Sequence, residues 1–209
     1  MKVDLHLHTK YSACANLELK TLRKLCKKYN IFPSITDHNS IEGAKRFKDC
    51  IIGEEILTKE GDLIGLFLNE KIKSGLSIEE TVDKIKEQGG LVYVPHPFDW
   101  RRKCVKRLNF KMDVMEIFNG RVWQQSLNKK AKDYAKRKNI IMGVGSDAHI
   151  APEFGKTYVE MDRFNSPQEF LKNLKKANLV TTKRSAEMQF RVNAISAFRK
   201  YLLKPLRIR

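Results

Sequence analysis

The chain has 209 residues, with 41 Lys and Arg against 24 Asp and Glu, a net charge of +17, and 42% hydrophobic residues. That length suits one well-buried domain and excludes two full enzymatic domains on ordinary size grounds. No apolar run approaches the roughly 18 residues of a membrane span, and no signal-peptide order opens the chain, so a cytoplasmic location is expected.

The stretch Asp4-Leu5-His6-Leu7-His8-Thr9 reads as a strand, in which Asp4, His6 and His8 point one way and Leu5 and Leu7 the other. Leu17, Leu19, Leu22, Leu25 and Cys26 fall near one helical face across 17 to 29. A short strand over 31 to 36 ends at Asp37 and His38, and Ser40 opens a brief helix. A run beginning at Cys50 leads to Glu54 and Glu55. Glu60-Gly61-Asp62 is turn chemistry, so the apolar run over 63 to 68 is a second strand in direct succession. Ser77 and Glu80 have capping-box spacing for a helix that Gly89-Gly90 stops. Strands over 91 to 94, 114 to 118 and 140 to 144 follow, with a helix over 123 to 138 between the last two. A short strand near 158 to 161 and a helix after Ser166-Pro167 complete the set.

Strand and helix alternate about six or seven times, which predicts parallel strands with crossover helices in an α/β fold. Polar groups stand at the C-terminal ends of several different strands, as in a (β/α) barrel, and no Gly-rich first turn marks an open doubly wound sheet. A single domain over 1–182 is expected. Residues 183–209 carry eight basic residues against one acid, Glu187, with Phe190, Ala194, Ala197, Phe198 and Tyr201 near helical spacing. They read as a basic helical extension, either packed on the barrel or binding RNA, membrane or a partner.

The five histidines, His6, His8, His38, His96 and His149, each follow a predicted strand. With Glu55 and Asp147 they make a set of nitrogen and oxygen donors suited to zinc, manganese or iron. Four cysteines, at Cys14, Cys26, Cys50 and Cys104, show no Cys-x-x-Cys spacing and are read as reduced thiols. Donors on separate strands can hold two or three divalent metals close together. Such a cluster generates hydroxide from bound water and neutralises phosphoryl oxygens.

Five segments in order carry a resemblance to a known family. They are Asp4-Leu5-His6-Leu7-His8-Thr9, Ile35-Thr36-Asp37-His38, Gly53-Glu54-Glu55, Val94-Pro95-His96-Pro97 and Gly145-Ser146-Asp147-Ala148-His149. Over roughly 1 to 165 the chain resembles the PHP (polymerase and histidinol phosphatase) metal-dependent phosphoesterases. The resemblance implies a distorted seven-stranded barrel. It also implies that His6, His8, Glu55 and Asp147 hold one metal, Glu55 and His96 a second, and His38 and His149 a third. Glu55, His96 and Asp147 would then form the catalytic centre. Glu54 should face away from Glu55 on its strand.

Two positions depart from the family pattern. Cys14 stands where an Asp or His completes the third site, and is either a thiolate ligand or a small buried residue. Asp62 stands where many members have histidine, and is either an oxygen donor to the second metal or a turn residue. Asp4 and Asp37 are expected to orient histidines, Glu116 and Asn119 to shape the pocket, and Arg101, Arg102 or Arg121 to grip a substrate phosphate.

The expected activity is hydrolysis of a phosphate monoester, or of the terminal phosphodiester of a nucleotide or short oligonucleotide, by metal-bound hydroxide. The partner is a phosphorylated small molecule or nucleotide. The alternative is a non-catalytic basic barrel that binds RNA or DNA backbone, which the net charge also suits.

Overall fold

Val3, Leu5 and Leu7 are all fully buried, and the strand they build, β1 (Lys2–Leu7), is the axis of the architecture. A computed structural model describes residues 1–182; the basic extension expected over 183–209 lies outside the described residues. β1 pairs in parallel with β2 (Ile31–Ile35) after α1 (Leu19–Tyr29). β3 (Ile51–Leu57) follows α2 (Glu42–Phe47) and adds in parallel to β2. Next come β4 (Asp62–Leu66), α3 (Ile78–Glu87), β5 (Leu91–Val94), β6 (Val114–Asn119), α4 (Gln125–Lys138) and β7 (Ile141–Gly145). β8 (Tyr158–Glu160), α5 (Pro167–Leu174) and β9 (Asn178–Val180) end the described chain.

The strand order is β7-β6-β5-β4-β3-β2-β1-β8-β9. The sheet curls until the exit of β7 meets β1: the Asp147 N–H donates to the His6 carbonyl at 2.7 Å and the His8 N–H to the Ala148 carbonyl at 2.9 Å. The result is a nearly closed, barrel-like sheet with helices outside. It has nine strands among the described residues where a seven-stranded barrel is expected, because β8 and β9 extend it beyond β1 in antiparallel pairing.

Two further expectations are corrected. The strands are not all parallel: β3 and β4 form a hairpin, and β4 also runs antiparallel to β5. A hairpin link is too short for a parallel crossover. The Thr58 side chain closes the turn on the Gly61 carbonyl at 2.6 Å. The single apolar face expected for β1 is also split. Leu5 packs with Ile64, Tyr93 and Val144, whereas Leu7 packs with Leu22, Ile35 and Phe47. The β1–β2 register shifts between Asp4 and Leu7, an irregularity of the kind that re-aims side chains near functional sites.

Local signals hold elsewhere. The α3 capping box between Ser77 and Glu80 is present in both directions. Asn30 ends α1 in the left-handed conformation, and Ser166 caps α5 ahead of Pro167. No helix among the described residues is long and apolar enough to cross a membrane.

Candidate metal centre

The C-terminal ends of the strands converge. β1 supplies His6 and leads into His8, the exit of β2 supplies Asp37 and His38, and β3 supplies Glu55. The exit of β5 supplies His96, β6 supplies Glu116 and Asn119, and the exit of β7 supplies Asp147 and His149. His96 and Asp147 both have positive φ, 31° and 50°, a backbone state that non-glycine residues hold only when their surroundings enforce it. Here the His96 N–H is clamped by Glu116 Oε2 at 2.7 Å.

Three groups of donors have their ligand atoms within 4.8 Å of one another: His6, His8 and Glu55; Glu55, Asp62 and His96; and His8, His38 and His149. Glu55 belongs to the first two groups and His8 to the first and third. Glu55 Oε2 lies 3.1 Å from His8 Nε2, 3.1 Å from His38 Nδ1 and 3.6 Å from His6 Nε2. Its other oxygen lies 3.0 Å from His96 Nε2. Asp147 Oδ1 stands 3.4 Å from His8 Nε2 and 3.7 Å from His6 Nε2.

Partners behind the rings fix which nitrogen faces inward. His6 Nδ1 meets Glu116 Oε1 at 3.0 Å. Because a carboxylate accepts, Nδ1 of the neutral ring donates and Nε2 keeps its lone pair. Ser12 does the same for His8. Its hydroxyl donates to Asp37 Oδ1 at 2.7 Å, so its lone pairs are left for His8 Nδ1 at 3.1 Å and the His38 N–H at 2.9 Å. His149 Nδ1 donates to the Asp147 carbonyl at 2.9 Å. Three rings therefore turn Nε2 into the centre.

Burial and the neighbouring charges shift the titration of these groups, some up and some down. Burial opposes charge on His6, yet Glu116, Asp147 and Glu55 outweigh it and hold the ring well above its ordinary pKa. Burial likewise opposes the Asp147 carboxylate, which Arg102 and His6 hold well below the carboxylate range. Burial pushes His149 well below the imidazole range and His38 down to about 4. Burial, then the charge of Glu55, pushes Asp62 up to about 7. Asp147 Oδ1 and His96 Nδ1 are buried without a hydrogen-bond partner. Carboxylate oxygens and imidazole nitrogens that converge within 4.8 Å of one another are the donor set that divalent cations take.

The remaining expected residues fall at different depths. Asp62 is buried among the donors. Cys14 is exposed, at the mouth and outside the three groups. Asp37 acts on His8 through Ser12, whereas Asp4 takes backbone N–H groups, from Ser146 at 3.0 Å and His6 at 3.3 Å, instead of an imidazole. Asp4 thus ties β1 to the exit of β7. Asn119 bonds both Glu116 and Asp147. Arg102 enters the centre, 2.6 Å from Asp147 Oδ2; Arg121 pairs with Glu153 at 3.5 Å; Arg101 is exposed. Glu54 points away from the centre and accepts the Ile72 N–H at 2.8 Å.

Sequence reading left out Ser12, Tyr93 and Glu153 and gave Glu116 no orienting role. Tyr93 donates to Glu116 at 3.0 Å, and Glu153 accepts the His149 N–H at 2.7 Å. Ser12 and Glu153 each stand four residues after a histidine, the one local signal available. A cavity of about 540 Å³ opens over the donors, lined by Tyr11, Cys14, His38, Asp62, His96 and Arg102. A cleft of about 570 Å³ beside Lys2, Ile31 and Phe47 is lined by none of the donors and lies at the opposite ends of β1 and β2.

A family model described as PHP-associated matches residues 125–179. An uncharacterized protein of Methanocaldococcus jannaschii, MJ0417, is 40% identical over 191 residues, covering 84% of this chain and 79% of its own. A second from the same organism, MJ1587, is 41% identical over 163 residues, covering 66% of this chain and 95% of its own. Two solved structures share the fold. A candidate metal-dependent phosphoesterase from Bifidobacterium adolescentis has a TM-score of 0.57 at 14% identity, covering 82% of this chain and 95% of its own. An amidohydrolase from Chromobacterium violaceum with bound sulfate has a TM-score of 0.61 at 12% identity, covering 85% and 97%. The chain belongs to the PHP-type family. The PHP-type fold recurs in PsfC from Pseudomonas syringae, with a TM-score of 0.69 at 14% identity over 96% of this chain and 98% of that one. The PHP-associated match spans α4 to β9 and so contains Asp147 and His149.

Proposed function

We propose that this PHP-type protein is a metal-dependent phosphoesterase that hydrolyses a phosphate monoester or the terminal phosphodiester of a nucleotide or short oligonucleotide. The observation that carries the reading is the sharing of Glu55 and His8 among three adjoining donor groups whose rings are already turned inward. Two or three ions of zinc, manganese or iron suit these nitrogen and oxygen donors. His6, His8, Glu55 and Asp147 would hold one ion, Glu55, Asp62 and His96 another, and His8, His38 and His149 bound the third position.

When bound, such metals lower the pKa of water and offset charge on the phosphoryl oxygens. The chain's own residues do the rest. Glu116 and Ser12 keep the imidazoles in one tautomer, so the donors need no reorganisation. Arg102 lines the cavity, and Asp99 and Asp147 hold its guanidinium in place at 3.5 and 2.6 Å. It offers planar N–H donors to a phosphate. Asp62 and His96 are buried at the base of the cavity, which strengthens ionic contacts made there.

A scaffold that only bound nucleic acid would have no need of these buried acids and imidazoles, which cost stability when unpaired. The test is phosphate release from a panel of phosphomonoesters and short oligonucleotides, with manganese, zinc or iron added. Metal-dependent release that Glu55→Gln abolishes is expected; equal release from wild type and variant would reject the assignment.

A further inference from the structure

The chain has only two tryptophans, and both are held out in water: Trp100 is 70% exposed and Trp123 56% exposed. They are the two most exposed large hydrophobic residues described, and both stand on loops at the metal end of the barrel. Trp100 follows β5, within a turn closed by the Asp99 N–H on the His96 carbonyl at 3.0 Å and the Arg102 N–H on the Asp99 carbonyl at 2.9 Å. That turn ties Trp100 to His96 on one side and, through Arg102, to Asp147 on the other. Trp123 follows β6, four residues beyond Asn119, whose side chain bonds Asp147 at 3.1 Å.

β5 and β6 are neighbours in the sheet. The β5 exit loop packs on α4, the helix that follows the β6 exit loop: Phe98 lies edge-on against Tyr134 at 5.8 Å, and Lys130 Nζ stands 4.7 Å above the Phe98 ring. The charge beside Trp100 is basic. Arg101 and Lys103 are exposed, and the Arg101 guanidinium stands 5.3 Å over the Trp100 ring. Asp99, the acid of this loop, is buried.

We propose that Trp100 and Trp123 are a stacking rim for the bases of a single-stranded oligonucleotide whose terminal phosphate ester enters the cavity lined by Arg102, His96 and Asp62. This rests on the phosphoesterase reading and names its substrate class. Aromatic faces interleaved with basic side chains are what sequence-tolerant single-strand binding requires, because every base has a π-face and every linkage a charge. A sugar phosphate offers one ring and one charged group, which leaves the second indole and the basic side chains of the loop without a partner. A lipid surface would suit tryptophan and lysine, but would cap the cavity that the rim borders.

The two tryptophans are their own probe. Metal-loaded protein would be titrated with a mixed-sequence RNA or DNA strand of about 12 nucleotides, following tryptophan emission at low and high salt. Saturable quenching by the single strand is expected, weakened by salt, with little from the same sequence as a duplex. RNA and DNA arms show which sugar is preferred. Trp100→Ala and Trp123→Ala should each weaken binding of a labelled strand by between about fivefold and a hundredfold, with melting temperature and metal content retained, and Trp→Phe should restore most of the affinity. No quenching, equal quenching by inorganic phosphate, or quenching by anionic phospholipid vesicles in place of the strand would overturn the assignment. Binding without hydrolysis would reject the phosphoesterase reading and leave the rim standing; hydrolysis without quenching would do the reverse.

Discussion

Nδ1 of His6 lies 3.0 Å from Oε1 of Glu116, a residue 110 positions further along the chain. The same carboxylate accepts from the Tyr93 hydroxyl, the His96 N–H and the Asn119 side chain. One buried acid from β6 thereby sets a ring from β1, the backbone of the β5 exit and an amide that reaches Asp147. Glu116→Gln should lower metal affinity by about 10- to 100-fold with the fold intact, measured by chelator competition. Unchanged affinity would show that His6 is oriented by its strand alone.

Ser12 does comparable work for His8. Ser12→Ala removes the acceptor for His8 Nδ1 and the donor to Asp37 together. A stability loss of about 1–3 kcal/mol is expected from the unsatisfied buried groups, together with weaker metal binding. Ser12→Thr, which keeps the hydroxyl, should recover both. Denaturant melts and metal titration of the two variants check this.

Gly145 has no room for a side chain. A Cβ there would lie 2.4 Å from His6 Cβ and 2.5 Å from Glu116 Oε1. Gly145→Ala should destabilise the protein by about 1–3 kcal/mol through overpacking and reduce metal content. Loss of metal without loss of stability would mean that the donors moved while the barrel did not.

Glu54 gives a pH signature separate from the centre. Burial pushes its carboxyl up to about 7 from 4.5, so between those values the native state holds a proton that the unfolded chain has released. Stability attributable to Glu54 is therefore full below about 4.5 and falls as pH rises toward 7. In Glu54→Gln this decline should disappear. Urea melts of both proteins across pH 4.5 to 8, with metal chelated, would show the wild-type curve falling relative to the variant by up to about 3 kcal/mol. Parallel curves would contradict the assignment.

Much of the centre was legible because histidine is scarce in this chain and each copy follows an apolar run ending in a turn. His6, His8, His38, His96 and His149 could be placed at strand exits from local pattern alone. What was not legible depends on contacts across the barrel. The reach of Glu116 to His6, of Arg102 to Asp147 and of Asp4 to the Ser146 N–H each joins segments with no shared local signal. Antiparallel β3 and β4 could have been inferred from the short Thr58–Gly61 turn, but strand-helix alternation elsewhere favoured parallel pairing. The split of Leu5 and Leu7 between two clusters follows from the register shift in β1, which alternation cannot show. β9 is three residues long, Asn178–Val180, too short for alternation to mark a strand, and among the described residues its pairing partner is β8.

The most direct test of the shared metal centre is metal content by elemental mass spectrometry, on protein purified without added metal and again after reconstitution, for wild type and Glu55→Gln. Two or three equivalents of zinc, manganese or iron in the wild type, with loss of more than one equivalent in the variant, is the predicted result, because Glu55 joins two donor groups. Protein that stays metal-free after reconstitution, or a variant that keeps its full complement, would contradict the account.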